Sequence, residues 1–227
     1  MSIAVNYAEV KARMEAACAR AGRDPKEVTL IAVSKTKPVS MLTEAYEAGS
    51  RDFGENKVQE ITEKYPQMPE DAKFHMIGHL QTNKVGQVID KVVLIHSVDS
   101  VHLAEKIEKE AAKRDIVKDI LLEVNVAEEE SKFGLKMDEV IPVLETIKTF
   151  PHICVRGLMT IAPYVENAEE NRKHFKDLYQ LYVDIKTKNI DNGTMNVLSM
   201  GMTGDYEVAV EEGATMIRVG TGIFGSR

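Results

Sequence analysis

Short, nearly unbroken apolar runs recur along this chain, separated by stretches whose apolar residues return at helical spacing. Runs without polar alternation are how strands read when a parallel sheet is covered on both faces. Eight are predicted, at residues 29–34, 52–55, 74–78, 92–98, 120–125, 155–161, 197–201 and 216–220. Between them, Leu103, Ile107 and Ala111 mark one helix face, and Phe175, Leu178, Leu181 and Tyr182 another. Pro38, Ser100 and Gly213 punctuate helix starts and a helix end. Strand and helix alternate, which implies a parallel sheet. Eight such units in about 200 residues fit the small end of a closed (β/α)8 barrel, the TIM-type α/β fold. An open doubly wound sheet is the alternative if a strand or two is miscounted. A helix over residues 5–20 precedes the first strand and is expected to cap the barrel floor. Residues 1–227 read as one domain, with no linker, repeat or low-complexity segment and only seven residues, 221–227, after the last strand.

Composition narrows the function classes. The 36 acidic and 29 basic residues leave a net charge of -7, and Lys and Arg are scattered, so nucleic acid is not an expected partner. The first twenty residues hold no apolar run longer than Ile3-Ala4-Val5, too short for a signal-peptide core or a membrane span; a cytoplasmic protein is expected. Cys18 and Cys154 have neither metal-like spacing nor a disulfide framework and read as structural thiols.

In such a barrel the chemistry sits at the C-terminal ends of the strands, and phosphate is usually held after strands seven and eight. Here those loops carry Ser199, Gly201, Thr203, Gly204 and Asp205, then Arg218, Gly220, Thr221 and Gly222. Either loop alone is an ordinary turn; together they suggest an anion cradle. Across the mouth, Lys35 continues the two-residue period of Ile31 and Val33, so its amine is expected to rise from the barrel interior. Lys37, just before a helix start, is better left in solvent. An amine facing a phosphate site suits an aldehyde-bearing phosphorylated cofactor or a sugar-phosphate Schiff base. Other candidates are weaker. His75 and His79 do not share a face in a strand entering a loop, so no metal site is expected. Glu55 with Asn56, and Glu123 with Asn125, end strands two and five and could contact a ligand or satisfy loop backbone, the latter favoured for the acids. Met159, Met200 and Met202 could lie against a flat ring, although core filling is the default. Glu128, Glu129 and Glu130 read as a solvated loop.

Seven blocks carry a resemblance over the whole chain: residues 32–38 (AVSKTKP), 53–56 (FGEN), 77–81 (IGHLQ) with Asn83 and Lys84, 157–160 (GLMT), 198–202 (LSMGM), 217–221 (IRVGT) and 223–225 (IFG). Together they resemble the pyridoxal phosphate homeostasis proteins of the YggS/PROSC type. The resemblance implies a fold-type III barrel like the N-terminal domain of alanine racemase, with pyridoxal 5'-phosphate held as a Schiff base on Lys35. It further implies a phosphate cradle of Ser199, Gly201, Thr203, Arg218, Gly220 and Thr221, with Asn56 and Met159 beside the cofactor. Lys57 and the Thr203-Gly204 pair depart from the family pattern. The implied function is to bind and buffer the cofactor and pass it to apo-enzymes, as a cytoplasmic monomer without substantial amino-acid turnover. The alternatives are a pyridoxal-phosphate-dependent amino-acid racemase and a cofactor-free Schiff-base aldolase. A racemase needs acid/base groups on both faces of the substrate carbon, and an arginine at the pyridine nitrogen, as Arg218 would be, weakens the electron sink.

Overall fold

The computed structural model describes residues 2–129, 132–188 and 194–225. Its strands are β1 (Thr29–Val33), β2 (Asp52–Glu55), β3 (Lys73–Met76), β4 (Val92–Val98), β5 (Lys118–Glu123), β6 (Ile153–Met159), β7 (Val197–Met202) and β8 (Met216–Val219). Each pairs in parallel with its sequence neighbours, and β8 closes onto β1 with Arg218 opposite Ile31 and Val219 opposite Ala32. The fold is a closed (β/α)8 barrel, because that last pairing joins the two edges an open sheet would leave. β5 and β6 begin two residues before their apolar runs. There the ladder pairs Lys118 with Ile153 and Asp119 with Cys154, so that on β5 it extends over two polar residues that periodicity does not register.

The helices are α1 (Ile3–Arg20), α2 (Val39–Glu47), α3 (Val58–Lys64), α4 (Val85–Val88), α5 (Val101–Ala112), α6 (Val140–Ile147), α7 (Arg172–Thr187), α8 (Tyr206–Glu211) and α9 (Thr221–Phe224). Alternation along the strands divides the apolar residues between two cores. Leu30 and Ala32 join the large core between strands and helices, whereas Leu94, Leu121 and Met159 pack inside the barrel. Ile31 and Val33 turn inward: a Cβ on Gly54 would meet Ile31 Cγ2 at 3.0 Å, and one on Gly220 would meet Val33 Cβ at 3.4 Å. Gly157 lets β6 close on β7, since a Cβ there would lie 1.7 Å from the Val197 carbonyl oxygen at a φ of +157°.

The expectation for the N-terminal helix is corrected. α1 does not cap the floor; it packs along α8, α9 and α2 in the outer ring, although Tyr7 and Lys11 reach the floor's edge beside Asp52. The four residues of α9 are too short to cover the last strand, and α1 supplies the missing apolar face through Ile3, Val10, Met14, Ala17 and Cys18. It is fastened at its N-terminal end by Asn6 Nδ2 donating to the Ile223 carbonyl. Near its C-terminal end, Arg20 pairs with Glu207 and Glu211 of α8.

Candidate functional site

Lys35 follows β1 in a tight turn in which Lys37 N donates to the Ser34 carbonyl at 3.0 Å. Thr36 takes a φ of +65°, a conformation a β-branched residue adopts only when its surroundings impose it. Those surroundings are a buried ion cluster. Lys64 Nζ, at the end of α3, donates to the Ser34 carbonyl at 2.9 Å, to Glu55 Oε1 at 2.8 Å and to Glu60 Oε1 at 3.0 Å. Ser34 Oγ donates to Glu55 Oε1 at 2.6 Å, and Thr36 N donates to Glu60 Oε1. Burial raises the Glu55 carboxyl above its usual range against the opposing pull of Lys64 and Ser34. Glu55 therefore serves the turn rather than a ligand, while Lys35, half-buried, follows the C-terminal end of β1.

The loops after β7 and β8 meet beside this turn. Thr203 Oγ1 accepts from Gly220 N at 3.3 Å and Gly222 N at 3.4 Å, tying one loop to the other. Both bonds are long for N–H···O, so the two amides are held in place without being fully committed. Asp205 shapes the β7 loop by accepting from Met202 N at 2.7 Å and from Asn171 Nδ2 at 2.8 Å. Gly201, at a φ of +91°, is required by packing: a Cβ would lie 2.6 Å from Ala209 Cβ and 2.9 Å from Tyr206 Cα, pushing α8 off the strand. Thr221 is exposed at the rim, and a Cβ on Gly204 would meet nothing within 4 Å.

Below the loops lies Arg218, buried with its Nη2 donating to the Thr160 carbonyl at 2.7 Å and its Nη1 to Ser199 Oγ. Burial lowers it to about 10, so it remains a cation at neutral pH. Glu123 faces it from the end of β5. Burial, with Asp99 adding repulsion, pushes this carboxyl up to about 7 although Arg218 opposes the shift. A carboxyl raised on folding contributes stability below its unfolded pKa that is lost as pH rises through the folded one. Glu123→Gln is therefore expected to exceed the wild type in denaturant melts by a margin that is small at pH 5 and large at pH 8. Equal stabilities at pH 8 would show that Glu123 is not raised.

Several expected site residues are placed differently. The Ser199 hydroxyl is sealed in the interior by Arg218 and by His96 Nδ1 at 3.0 Å, so it holds the arginine and does not line the loops. Met159 is also fully buried, packed on Leu94 and Leu121, and acts as core. Met200 turns into the outer core, while Met202 is exposed. Lys37 is half-buried rather than solvated: its Nζ lies 3.4 Å from the Phe224 and Gly225 carbonyls at the end of α9, where a cation is favoured. Asn56 and Lys57 line a depression of about 540 Å³ with Gln59, His79, Gln81 and Lys84, so the extra charge of Lys57 sits outside the barrel interior. Asn125, for which either role was open, bonds its own loop at Glu129; Glu130 lies outside the described residues. Lys64, Glu60 and His96 were not foreseen. His96 had a legible signal, since it continues the inward period of Leu94, but an inward histidine has no meaning until the strands facing it are known.

The whole of residues 5–227 matches the family model described as alanine racemase, N-terminal domain. A pyridoxal phosphate homeostasis protein of Aquifex aeolicus is 43% identical over 228 residues, covering 100% of this chain and 99% of that one. Among solved structures, PipY of Synechococcus elongatus with pyridoxal phosphate bound superposes with a TM-score of 0.86 at 33% identity, covering 99% of this chain and 100% of that one. Alanine racemase of Clostridium difficile shares the fold, with a TM-score of 0.74 at 12% identity over 98% of this chain and 57% of the racemase. With its barrel, its seven motif blocks and full-length similarity of this degree, the chain belongs to the pyridoxal phosphate homeostasis protein family, built on the alanine racemase N-terminal domain.

Proposed function

We propose that this protein binds pyridoxal 5'-phosphate through a Schiff base on Lys35 and buffers it for delivery to apo-enzymes, as a cytoplasmic monomer without substantial amino-acid turnover. The observation that carries this reading is the closing seam of the barrel. Gly220 lies against Val33, so the β8 loop and the turn that carries Lys35 are neighbours, and adjoining segments bring an amine and a set of hydroxyl and amide donors. The donor set fits the cofactor. Lys35 supplies the primary amine, Thr203, Thr221 and the amides of Gly201, Gly220 and Gly222 suit a phosphate, and Arg218 offers a buried cation beneath. Asn56 follows β2, the strand next to β1 on the other side from β8. When bound, the cofactor supplies an aldehyde carbon open to attack by an amine. Among the described residues no helix is long and apolar enough to cross a membrane, in keeping with a soluble carrier.

Losing one charge-assisted contact costs about 1.5 to 3 kcal/mol, roughly 10- to 100-fold in affinity. Thr203→Val and Thr221→Ala should each weaken retention of pyridoxal phosphate by that factor and leave pyridoxal binding nearly unchanged; equal losses for both ligands would remove the phosphate assignment. The carrier reading requires that the loaded protein give up cofactor to an added apo-enzyme. Racemisation of L- or D-amino acids in deuterated solvent at about one per second or faster would replace it with an enzyme.

A further inference from the structure

A continuous line of hydrogen bonds crosses the barrel below Arg218. His96 Nδ1 lies 3.0 Å from Ser199 Oγ, His96 Nε2 lies 3.0 Å from His75 Nδ1, and His75 Nε2 lies 3.0 Å from Asp52 Oδ1. Arg218, Ser199, His96 and His75 are all buried. Asp52, the first residue of β2, is partly exposed and lines a depression of about 640 Å³ at the floor with Tyr7, Lys11 and Arg51. The line thus draws one residue from each of β8, β7, β4, β3 and β2 and ends at solvent.

Its two ends determine where every proton sits. A guanidinium only donates, so the Ser199 oxygen accepts from Arg218 and its own hydrogen is left for His96 Nδ1. A carboxylate only accepts, so His75 carries its hydrogen on Nε2. His96, which takes the Ser199 hydrogen on Nδ1, carries its own on Nε2 and donates it to His75 Nδ1. Burial, with His75 and Arg218 adding to it, holds His96 well below the usual histidine range. All four bonds therefore run in one direction, from cation to carboxylate, with no donor or acceptor mismatched.

We propose that Ser199, His96, His75 and Asp52 form a hydrogen-bond relay through the barrel that orients Arg218 and couples it to the floor. Each member fixes the hydrogen of the next: Asp52 holds the Nε2 hydrogen of His75, His75 takes that of His96, His96 takes that of Ser199, and the Ser199 oxygen is thereby presented to Arg218. No proton has to leave the line. The charged and titratable groups facing this line are Tyr7 and Arg51 near Asp52, and Glu123 and Asp205 near Arg218. Leu94, Leu121 and Met159 form the apolar packing inside the barrel. That the upper end meets the cofactor rests on the proposed pyridoxal phosphate site; the relay itself does not.

The test begins with the unloaded protein. Histidine ¹⁵N shifts at pH 7 should show His96 neutral and both rings carrying a hydrogen on Nε2, and a His96 protonated on Nδ1 or on both nitrogens overturns the relay outright. Asp52→Asn should then shift the His96 ring nitrogens although Asp52 does not touch that ring, and an unchanged His96 spectrum in the folded variant also overturns it. In the loaded protein, the pH midpoint of the visible band is compared for Asp52→Asn, Ser199→Ala and the double variant. Independent sites add to within roughly twofold. A relay requires the double variant to match Ser199→Ala alone, because the upper break already disconnects the floor. Full additivity of the two shifts overturns it. Correct tautomers in an unloaded protein that takes up no pyridoxal phosphate would locate the failure in the cofactor reading instead.

Discussion

Lys35→Ala is expected to give a folded, colourless protein. The turn that carries Lys35 is held by backbone and neighbouring side chains, through Lys64 and Glu55 on Ser34 and through Glu60 on Thr36. Truncating the half-buried amine should therefore change the stability of the unloaded protein by no more than about 0.5 kcal/mol. The visible band formed on adding pyridoxal phosphate should vanish, since the proposed linkage needs that one nitrogen. Lys37→Ala is the control, because its amine is directed to the carbonyls closing α9, and it should keep most of the band. Borohydride reduction followed by peptide mapping should place the adduct on Lys35. An adduct on Lys37 or Lys57, or a persistent band in Lys35→Ala, would refute the assignment.

Lys64→Met should be among the most destabilising single substitutions in the chain. It removes the cation from a pair in which Glu55 is fully buried, with Oε2 already lacking a hydrogen-bond partner. Breaking a buried pair by removing one partner typically costs about 3 to 5 kcal/mol, a large share of a total of roughly 5 to 15. The sign of the pH dependence follows from Glu55. Its carboxyl is already raised by burial, and losing Lys64 raises it further. The folded variant then favours the protonated acid, so the loss is greatest at high pH and shrinks as pH falls. Denaturant melts at pH 5 and pH 8 should show the deficit widening with pH, and Glu55→Gln in the same chain should recover part of it. A Lys64→Met deficit below about 1 kcal/mol at pH 8 would mean that the cluster is not what holds the turn. Because Thr36 would lose the support for its φ of +65°, the variant should also bind cofactor more weakly than its stability alone predicts.

The order of elements was legible because each strand announces itself locally. The run at residues 92–98 coincides with β4 residue for residue, and the run at 52–55 with β2. The period of two carried beyond Ile31 and Val33 is what singles out Lys35, although β1 itself ends at Val33 and Lys35 lies in the turn that follows. Ser199 shows where local reading ends. Its place in a glycine-rich loop motif pointed to the phosphate, but β7 turns that hydroxyl into the interior, where Arg218 and His96 claim it.

What could be read from composition and periodicity is therefore the fold class, the strand count and the pair of loops that meet after β7 and β8. These depend on residues close together in the chain, whose spacing sets phase and punctuation. The rest depends on closure of the barrel. Arg218 meets Ser199 across 19 positions, His96 meets Ser199 across 103, and Lys64 meets Ser34 across 30. α1 takes its place in the outer ring only because α9, at the far end of the chain, is too short to fill it. Hydrogen-bond partners and burial are properties of groups brought together in space, and a polar side chain such as His96 or Lys64 acquires its role only when the chain encloses it and water is no longer the alternative partner.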